Sequence, residues 1–367
     1  MFKKLFGKKK APKTFGEIKE ELLEAIREES LNKKANNYFN DCLAFLTDEN
    51  IEETEDLIHN VFTLTTTLPM PQCSVAMSVC TAFFEQGYRN DQLIEKMVDN
   101  YRRLLKDSKP FFEMLHNRVK DGENGNSDID IDVDSLYHEL RKDENLVSGA
   151  LGESVDKVEH FSKYMVSILS VDPSVTIQHK PKLKDDILFI KNYVQWCYWI
   201  DRLFDILFNE PIVVIDVDNN VGFEGKMSGV SDNFQLQLLL MAMPELNERP
   251  LIGDPELSVV NGTGIQISNA VVEGKWNMYN LDIIHQEGWE EIKIGPAKTY
   301  DLQDFWIWGE GAPHEISVHN GKRVVLLGRT PIKRSTRLQR TFKNVKAGIE
   351  VEKILTQDEI NRWLGLN

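Results

Sequence analysis

Apolar residues recur every three or four positions through most of the first half of the chain. Near the beginning, Ile18, Leu22 and Ile26 follow this spacing. A recurrence close to 3.6 residues places the apolar side chains on one face of a helix, which then packs against neighbouring helices. The same spacing predicts helices over residues 15–32, 51–68, 73–86, 91–119 and 154–169.

Residues 183–208 are apolar on nearly every side of a single predicted helix. Length alone would allow a membrane span. However, charges such as Lys191, Asp201 and Asp205 would each cost roughly 2.5–3.5 kcal/mol near the centre of a bilayer. We therefore predict a buried helix that joins the two halves of the chain, and we expect Pro173 and Pro181 to interrupt the helices before it.

After Pro211 the pattern changes to short apolar runs separated by turn residues. A β-branched run over 212–217, a turn at 218–220 and a second run over 221–226 predict a β-hairpin. Asp232, with Ser231 before it, can cap a helix that reaches about residue 243, although the same residues also permit a strand. Further strands are predicted at 264–272, 275–279, 304–308, 322–327 and 348–354.

The last residues predict a helix over 356–364, because Thr356 and Glu359 form a capping-box pattern. Together these patterns predict an α+β multidomain protein, with an all-helical N-terminal domain followed by a smaller mixed α+β C-terminal domain. The predicted boundaries are a basic flexible tail over 1–14, a helical domain over 15–210 and an α+β domain over 211–367.

The charge of the chain narrows its possible partners. Its 367 residues hold 43 Lys and Arg against 58 Asp and Glu, so the net charge is −15. An acidic protein is repelled by nucleic acids and by anionic membranes, so neither is expected as a partner. The basic residues 1–10 lack the apolar core of a secretory signal, and we do not expect them to bind a membrane.

The cysteines and the acidic runs predict no cofactor and no metal site. The four cysteines form no CxxC pair, which favours reduced thiols in a cytosolic protein. The run from Asp128 to Glu139 resembles a calcium loop, but Val133 stands where that loop needs glycine, so a flexible acidic loop is favoured. Alternation of Asp216, Asp218 and Asn220 is typical of a turn.

A basic segment over residues 317–348 reverses the acidic character of the chain. It holds nine Lys and Arg residues and no Asp or Glu, and Arg334, Arg337 and Arg340 recur every three residues. That spacing places the three near one helix face, where guanidinium groups could bind an anionic ligand or partner. Pairing with the protein's own acidic residues, or simple solvation, remains the alternative. The segment also contains Arg323 and Arg329.

Aromatic residues are concentrated just before this basic segment. Trp276, Tyr279, Trp306 and Trp308 lie within 33 residues, and on a strand Trp306 and Trp308 would face the same side. Such a cluster forms either part of a hydrophobic core or the wall of a ligand cleft or interface, and the sequence leaves both interpretations open. The glycines of Gly309-Glu310-Gly311 place exposed backbone beside the rings.

We therefore expect a cytosolic, non-enzymatic protein-interaction module of bacterial type, an adaptor or an immunity-like neutraliser of a basic partner. The binding residues would be the aromatic and arginine residues named above. The alternative is an enzyme or ligand-binding protein with an anion-binding cleft in the C-terminal domain. In that case Glu310 or His314 would be the acid or base, and Arg323 or Arg329 would hold the anion.

Overall fold

The computed structural model describes residues 13–28, 32–44, 51–125, 132–143, 149–247, 252–286, 289, 303–328 and 334–366. These residues form two compact units. The N-terminal unit contains the residues up to Ile168 together with Pro181–Ile200, and the C-terminal unit contains Leu169–Lys180 and the residues from Asp201 onward. The chain is an α+β multidomain protein, with helices predominating in its N-terminal part and mixed sheets in its C-terminal region. The predicted domain boundary at residue 210 stays a prediction.

The described residues of the first part of the chain form helices joined by short turns. The helices are α1 (Phe15–Arg27), α2 (Asn32–Leu43), α3 (Ile51–Thr67), α4 (Gln72–Glu85), α5 (Asp91–Gly125), α6 (Val133–Lys142), α7 (Gly149–Leu169), α8 (Pro173–Ile190) and α9 (Gln195–Phe204). The predicted amphipathic helices are confirmed, apart from shifts at their ends. Helices α2 and α6 were not predicted, because both are short and rich in polar residues.

The prediction of one continuous helix over 183–208 is wrong. The chain forms α8 and α9 with a break between them, where the Tyr193 N–H donates to the Ile190 carbonyl at 2.9 Å. Pro181 lies inside α8 rather than ending it, and Pro173 is the first residue of that helix, where a missing N–H costs nothing. Within the described residues, no helix is long and apolar enough to cross a membrane.

The four cysteines are free thiols in the interior. Burial raises the pKa of Cys73 and of Cys197 to about 11, and that of Cys42 to about 12. In α9, the Cys197 sulfur lies 3.4 Å from the hydroxyl oxygens of Tyr101 and Ser162. Thiols held in the protonated form by an apolar environment are poor nucleophiles, so none of these three is a candidate for chemistry.

The C-terminal unit is built on a mixed β-sheet. Its strands are β1 (Glu210–Asp216), β2 (Val221–Ser228), β3 (Ile267–Glu273), β4 (Asn277–Asn280), β5 (Val318–His319), β6 (Lys322–Gly328), β7 (Ser335–Gln339) and β8 (Gly348–Ile354). The main sheet has the order β4-β6-β1-β2-β8, with β5 also paired to β6, while β3 and β7 form a separate two-stranded sheet. Strands β1 and β6 run parallel and the other pairs are antiparallel. The predicted hairpin is confirmed as β1 and β2.

Both faces of the main sheet are covered by helical segments. These are α10 (Asn233–Met241), α11 (Asp254–Asn261) and α12 (Gln357–Trp363). Val214 in β1 packs in a core with Leu240 of α10, whereas Ile215 faces a second core that contains Ile360 of α12. A strand buried on both sides needs apolar residues at every position, which explains the uninterrupted β-branched run. Thr356 forms the predicted capping box with Glu359.

Two predictions for this unit are wrong. Residues 304–308 do not form a strand: the chain makes a short 3₁₀ turn, and Trp306 then forms one antiparallel bridge to Tyr279. Residues 334–340 do not form a helix, because Ser335–Gln339 is strand β7. Residues three apart on a strand point to opposite faces, so the arginines of this segment do not share one face.

Candidate functional site

A glycine loop packed against the start of α10 positions Trp308. The N–H of Asn233 donates to the Gly311 carbonyl and the N–H of Phe234 to the Gly309 carbonyl, each at 3.0 Å. A Cβ atom at Gly309 would lie 2.4 Å from the Phe234 ring, so a larger residue does not fit. The loop thereby occupies two N–H groups that a helix leaves free at its start, and it fixes the backbone beside Trp308.

The aromatic cluster divides between interior and surface. Trp306 is 8% exposed, whereas Trp308 is 43% exposed, and their ring centroids are 5.3 Å apart at 53°. Trp306 also packs edge-on against Tyr279, with the centroids 6.3 Å apart. Burial raises the pKa of the Tyr279 hydroxyl. One indole is therefore presented to solvent with two buried aromatic rings behind it.

Trp276 belongs to the interior. Its indole N–H donates to Asp216 Oδ2 at 3.0 Å, and the same carboxylate accepts the backbone N–H and the side-chain amide of Asn219 at 3.1 and 2.9 Å. These bonds close the turn between β1 and β2, which confirms the turn interpretation of this segment. Within the described residues, no group of three or more His, Cys, Asp or Glu side chains could hold a metal ion.

Arg334 lies over the exposed tryptophan. Its Cζ atom is 4.8 Å from the centroid of the Trp308 ring, a cation–π distance. Its Nη1 atom is 3.7 Å from Oε2 of Glu310, whose side chain is 69% exposed. Trp308, Arg334 and Glu310 therefore form one surface, which we call the Trp308 surface.

A small cavity, which we call the Trp308 notch, opens beside this surface. Its lining includes Asn233, Phe234, Trp276, Trp306, Trp308 and Arg334. Its volume is about 40 Å³, far below the roughly 300–1,000 Å³ of ordinary small-molecule sites. The notch has room for a group of a few atoms and not for a whole cofactor.

Arg340, in contrast, has a structural role. It is buried, and its guanidinium donates to the carbonyls of Val259, Gly264, Ile265 and Lys343 at 2.7–3.1 Å. Desolvation lowers its pKa. These bonds join the end of α11, the turn that follows it and the chain after β7. The donors are therefore already used within the protein.

The other predicted arginines are also engaged. Arg337 donates to the Ser268 carbonyl at 2.8 Å and to Asn269 Oδ1 at 2.7 Å, in the irregular part of β3. Arg323 Nε lies 2.8 Å from Glu210 Oε1, and its Nη1 donates to the His314 carbonyl at 2.8 Å. Arg329 lies outside the described residues.

The two acid–base candidates do not converge. His314 Nε2 is 4.0 Å from Asp205 Oδ2, whereas Glu310 faces Arg334. Neither lines the Trp308 notch. A reaction centre requires such groups to meet at one position. Of the predicted residues, the structure brings Trp276, Trp306, Trp308 and Arg334 together at the notch.

Asn233 is a residue of this site that the sequence did not identify. It follows the cap residue Asp232, and its side-chain amide donates to the Trp308 carbonyl at 2.8 Å across 75 residues of sequence. An Asn at the start of a helix is common, and its contact with Trp308 exists only in the folded chain. No sequence signal marked it.

Comparison with protein-family models, with curated proteins and with solved structures finds no match to this chain.

Proposed function

We propose that the protein is a non-enzymatic binding module whose C-terminal unit contacts a protein partner through the Trp308 surface. The observation that carries this proposal is the partly exposed Trp308 ring. Buried Trp306 packs against it, and the Arg334 guanidinium contacts its face. Tryptophan and arginine are over-represented among residues that dominate binding energy. A ring whose backbone is fixed by α10 also loses little freedom when it is buried by a partner.

The charge of the chain supports a basic partner. A net charge of −15 attracts positively charged proteins and speeds their approach. At the Trp308 surface, Glu310 supplies an exposed carboxylate next to the tryptophan. Such rim charges set the orientation and the association rate more than the affinity. The buried free thiols support a reducing compartment, the bacterial cytosol, as the place of this interaction.

The enzyme alternative has less support. The notch is too small for a typical substrate. Glu310 and His314 face different partners, Arg334 and Asp205, and neither side chain lines the notch. The anion-binding alternative rests on Arg334, since Arg323, Arg337 and Arg340 are occupied by contacts within the C-terminal unit.

Native mass spectrometry on the tagged protein purified from its own source tests the proposal. The variant Trp308→Ala removes the exposed ring, and Trp196→Ala is the matched control, because Trp196 is 40% exposed on α9. We expect the wild type and Trp196→Ala to carry the same basic protein in stoichiometric amount, and Trp308→Ala to lose it. Equal retention by both variants would show that the Trp308 surface is not the interface.

A further inference from the structure

The Trp308 notch contains a buried hydrogen-bond acceptor without a donor. Asn233 is 2% exposed and lines the notch. Its Nδ2 atom donates to the Trp308 carbonyl, which fixes the orientation of the amide. Its Oδ1 atom accepts no hydrogen bond from any described residue. Leaving a buried carbonyl oxygen without a donor is unfavourable, and most buried polar atoms in folded proteins have a hydrogen-bond partner.

The helix does not need this oxygen. Capping of α10 is performed by Asp232, whose Oδ1 accepts the Gln235 N–H at 2.9 Å. The buried amide of Gln235 itself is satisfied at both ends, since Oε1 accepts the Ser231 N–H at 2.8 Å and Nε2 donates to the Val260 carbonyl at 2.7 Å. Of these two amides, which are two residues apart in the chain, only the one that lines the notch keeps an oxygen without a donor.

The size of the notch limits what can supply that donor. Its volume of about 40 Å³ is well below the roughly 150 Å³ of an engineered cavity that binds benzene. An aromatic ring would therefore require a large opening of the lining, whereas a terminal group of three or four atoms requires only a small displacement at the rim. The Trp308 ring provides a flat wall beside it.

The charge of the lining narrows the choice further. Arg334 lines the same notch, so an ammonium or guanidinium group would meet a like charge there. A carboxylate would suit Arg334 but has no proton to donate to Asn233 Oδ1. A neutral group that both donates and accepts satisfies both residues. A hydroxyl offers both functions on a single oxygen atom. A primary carboxamide carries them on separate atoms, so its N–H₂ can face Asn233 while its carbonyl faces Arg334.

We propose that the Trp308 notch receives a primary carboxamide, the side chain of an asparagine or glutamine of the protein partner. This inference rests on the proposed function, because it identifies the group that the partner inserts beside Trp308. Asn233 is covered in the unbound chain, so entry requires a rim side chain to move. Arg334 and Trp308, together with Phe234, Gln237 and Asn277, are partly exposed residues in the lining.

Three small probes of similar size and different chemistry test the inference: propionamide, propionate and propylammonium. Each is titrated into the ¹⁵N-labelled protein, and the shifts of the Trp306 and Trp308 indole N–H signals and of the Asn233 amide are followed. We expect saturable shifts with propionamide at an affinity at least 10-fold higher than with the other two. Equal shifts with all three, or no shift because water alone fills the notch, would overturn the inference.

A substitution at the rim tests the role of charge without disturbing the interior. Arg334→Met should weaken propionamide binding and strengthen propylammonium binding, because the carbonyl loses its donor and the cation loses its repulsion. Arg362→Met is the control, since Arg362 is exposed on α12 and pairs with Glu359; it should change neither. An unchanged preference in Arg334→Met would contradict the proposed ligand chemistry.

The outcome separates the two proposals. The probe titration reports occupancy of the notch whether or not a protein partner binds. The Trp308→Ala and Trp196→Ala comparison reports partner binding whether or not a carboxamide enters the notch.

Discussion

Trp276 and Arg340 lie in the interior of the C-terminal unit, whereas Trp308 and Arg334 lie at its surface. The interior pair uses its polar groups on its own chain: the Trp276 N–H on Asp216 and the Arg340 guanidinium on four carbonyls. In the surface pair, the Arg334 guanidinium lies over the Trp308 ring, and the ion pair of Arg334 with Glu310 is long, at 3.7 Å. The same residue types therefore serve the fold in one place and remain available to a partner in the other.

Carboxylates show the same contrast. Glu359 accepts the Thr356 N–H at 3.0 Å and pairs with Lys353, and these contacts lower its pKa to about 2. Within the described residues, Glu310 forms an ion pair with Arg334 at the longer distance of 3.7 Å. What decides the role of a residue is whether its own chain supplies partners for its polar atoms. Substitutions of matched residue types can break or sharpen this comparison.

The largest effect is expected for Arg340→Met. It removes the donors of four carbonyls, of which the Val259 carbonyl is in a buried hydrogen bond and the others are in partly buried ones. A buried carbonyl left without a donor costs about 1–3 kcal/mol. We expect the free energy of unfolding in urea to fall by at least about 3 kcal/mol. Arg334→Met is the control and should change it by less than about 0.5 kcal/mol. Similar losses in both variants would remove the distinction between the two arginines.

A smaller effect is expected for Trp276→Phe. The phenyl ring fills most of the space of the indole, but the buried carboxylate of Asp216 loses the hydrogen bond that it accepts from the indole N–H. A hydrogen bond to a charged group is worth about 1.5–3 kcal/mol. Thermal and urea unfolding should both report a loss of about 2 kcal/mol. Combination with Asp216→Asn in a double-mutant cycle should show a coupling energy, because the two side chains share one bond. Strictly additive effects would indicate that the bond contributes nothing.

A pH-dependent effect is expected for Glu359→Gln. Because the pKa of Glu359 is lowered to about 2 from 4.5, its stabilising contribution is present above about pH 4.5 and is lost as the pH falls toward 2. The variant should therefore be less stable than the wild type at pH 7, and the difference should shrink near pH 2. Glu310→Gln should leave the unfolding curve unchanged at both pH values, since the cation described next to that carboxylate, Arg334, is 3.7 Å away.

The smallest effect on stability is expected for Trp308→Phe. Its ring is partly exposed and no hydrogen bond from its indole N–H is part of the described site, so the free energy of unfolding should change by less than about 0.5 kcal/mol. Partner binding in the native mass spectrometry experiment should weaken at the same time. A large loss of stability would instead place Trp308 with Trp276 as a residue of the fold.

Local signals in the sequence predicted much of this fold. The β-branched run of β1, the cap at Asp232 and the Thr356 capping box each involve residues within a few positions of one another. The turn at Asp216 follows the same logic. Such features are determined by neighbours along the chain, and the structure confirms them.

The site depends on contacts that no local pattern contains. Trp276 reaches Asp216 across 60 residues, and Asn233 reaches Trp308 across 75. The three-residue recurrence of Arg334, Arg337 and Arg340 misled the prediction because it has a helical meaning only if the segment is a helix. Pairing with β3 makes it a strand and directs the three side chains to different surroundings.

The parallel pairing of β1 with β6 has a consequence for the folding of the chain during its synthesis on the ribosome. Ile212 pairs with Arg323, 111 residues later in the chain. At about 5–20 residues per second, roughly 5–20 seconds of synthesis separate the two strands. During that time β1 can form its hairpin with β2, but its other edge stays unpaired and apolar. Ribosome-bound chains whose synthesis is stopped after β2 and before β6 should therefore expose an unpaired apolar strand edge, which is prone to aggregation and is expected to bind chaperones.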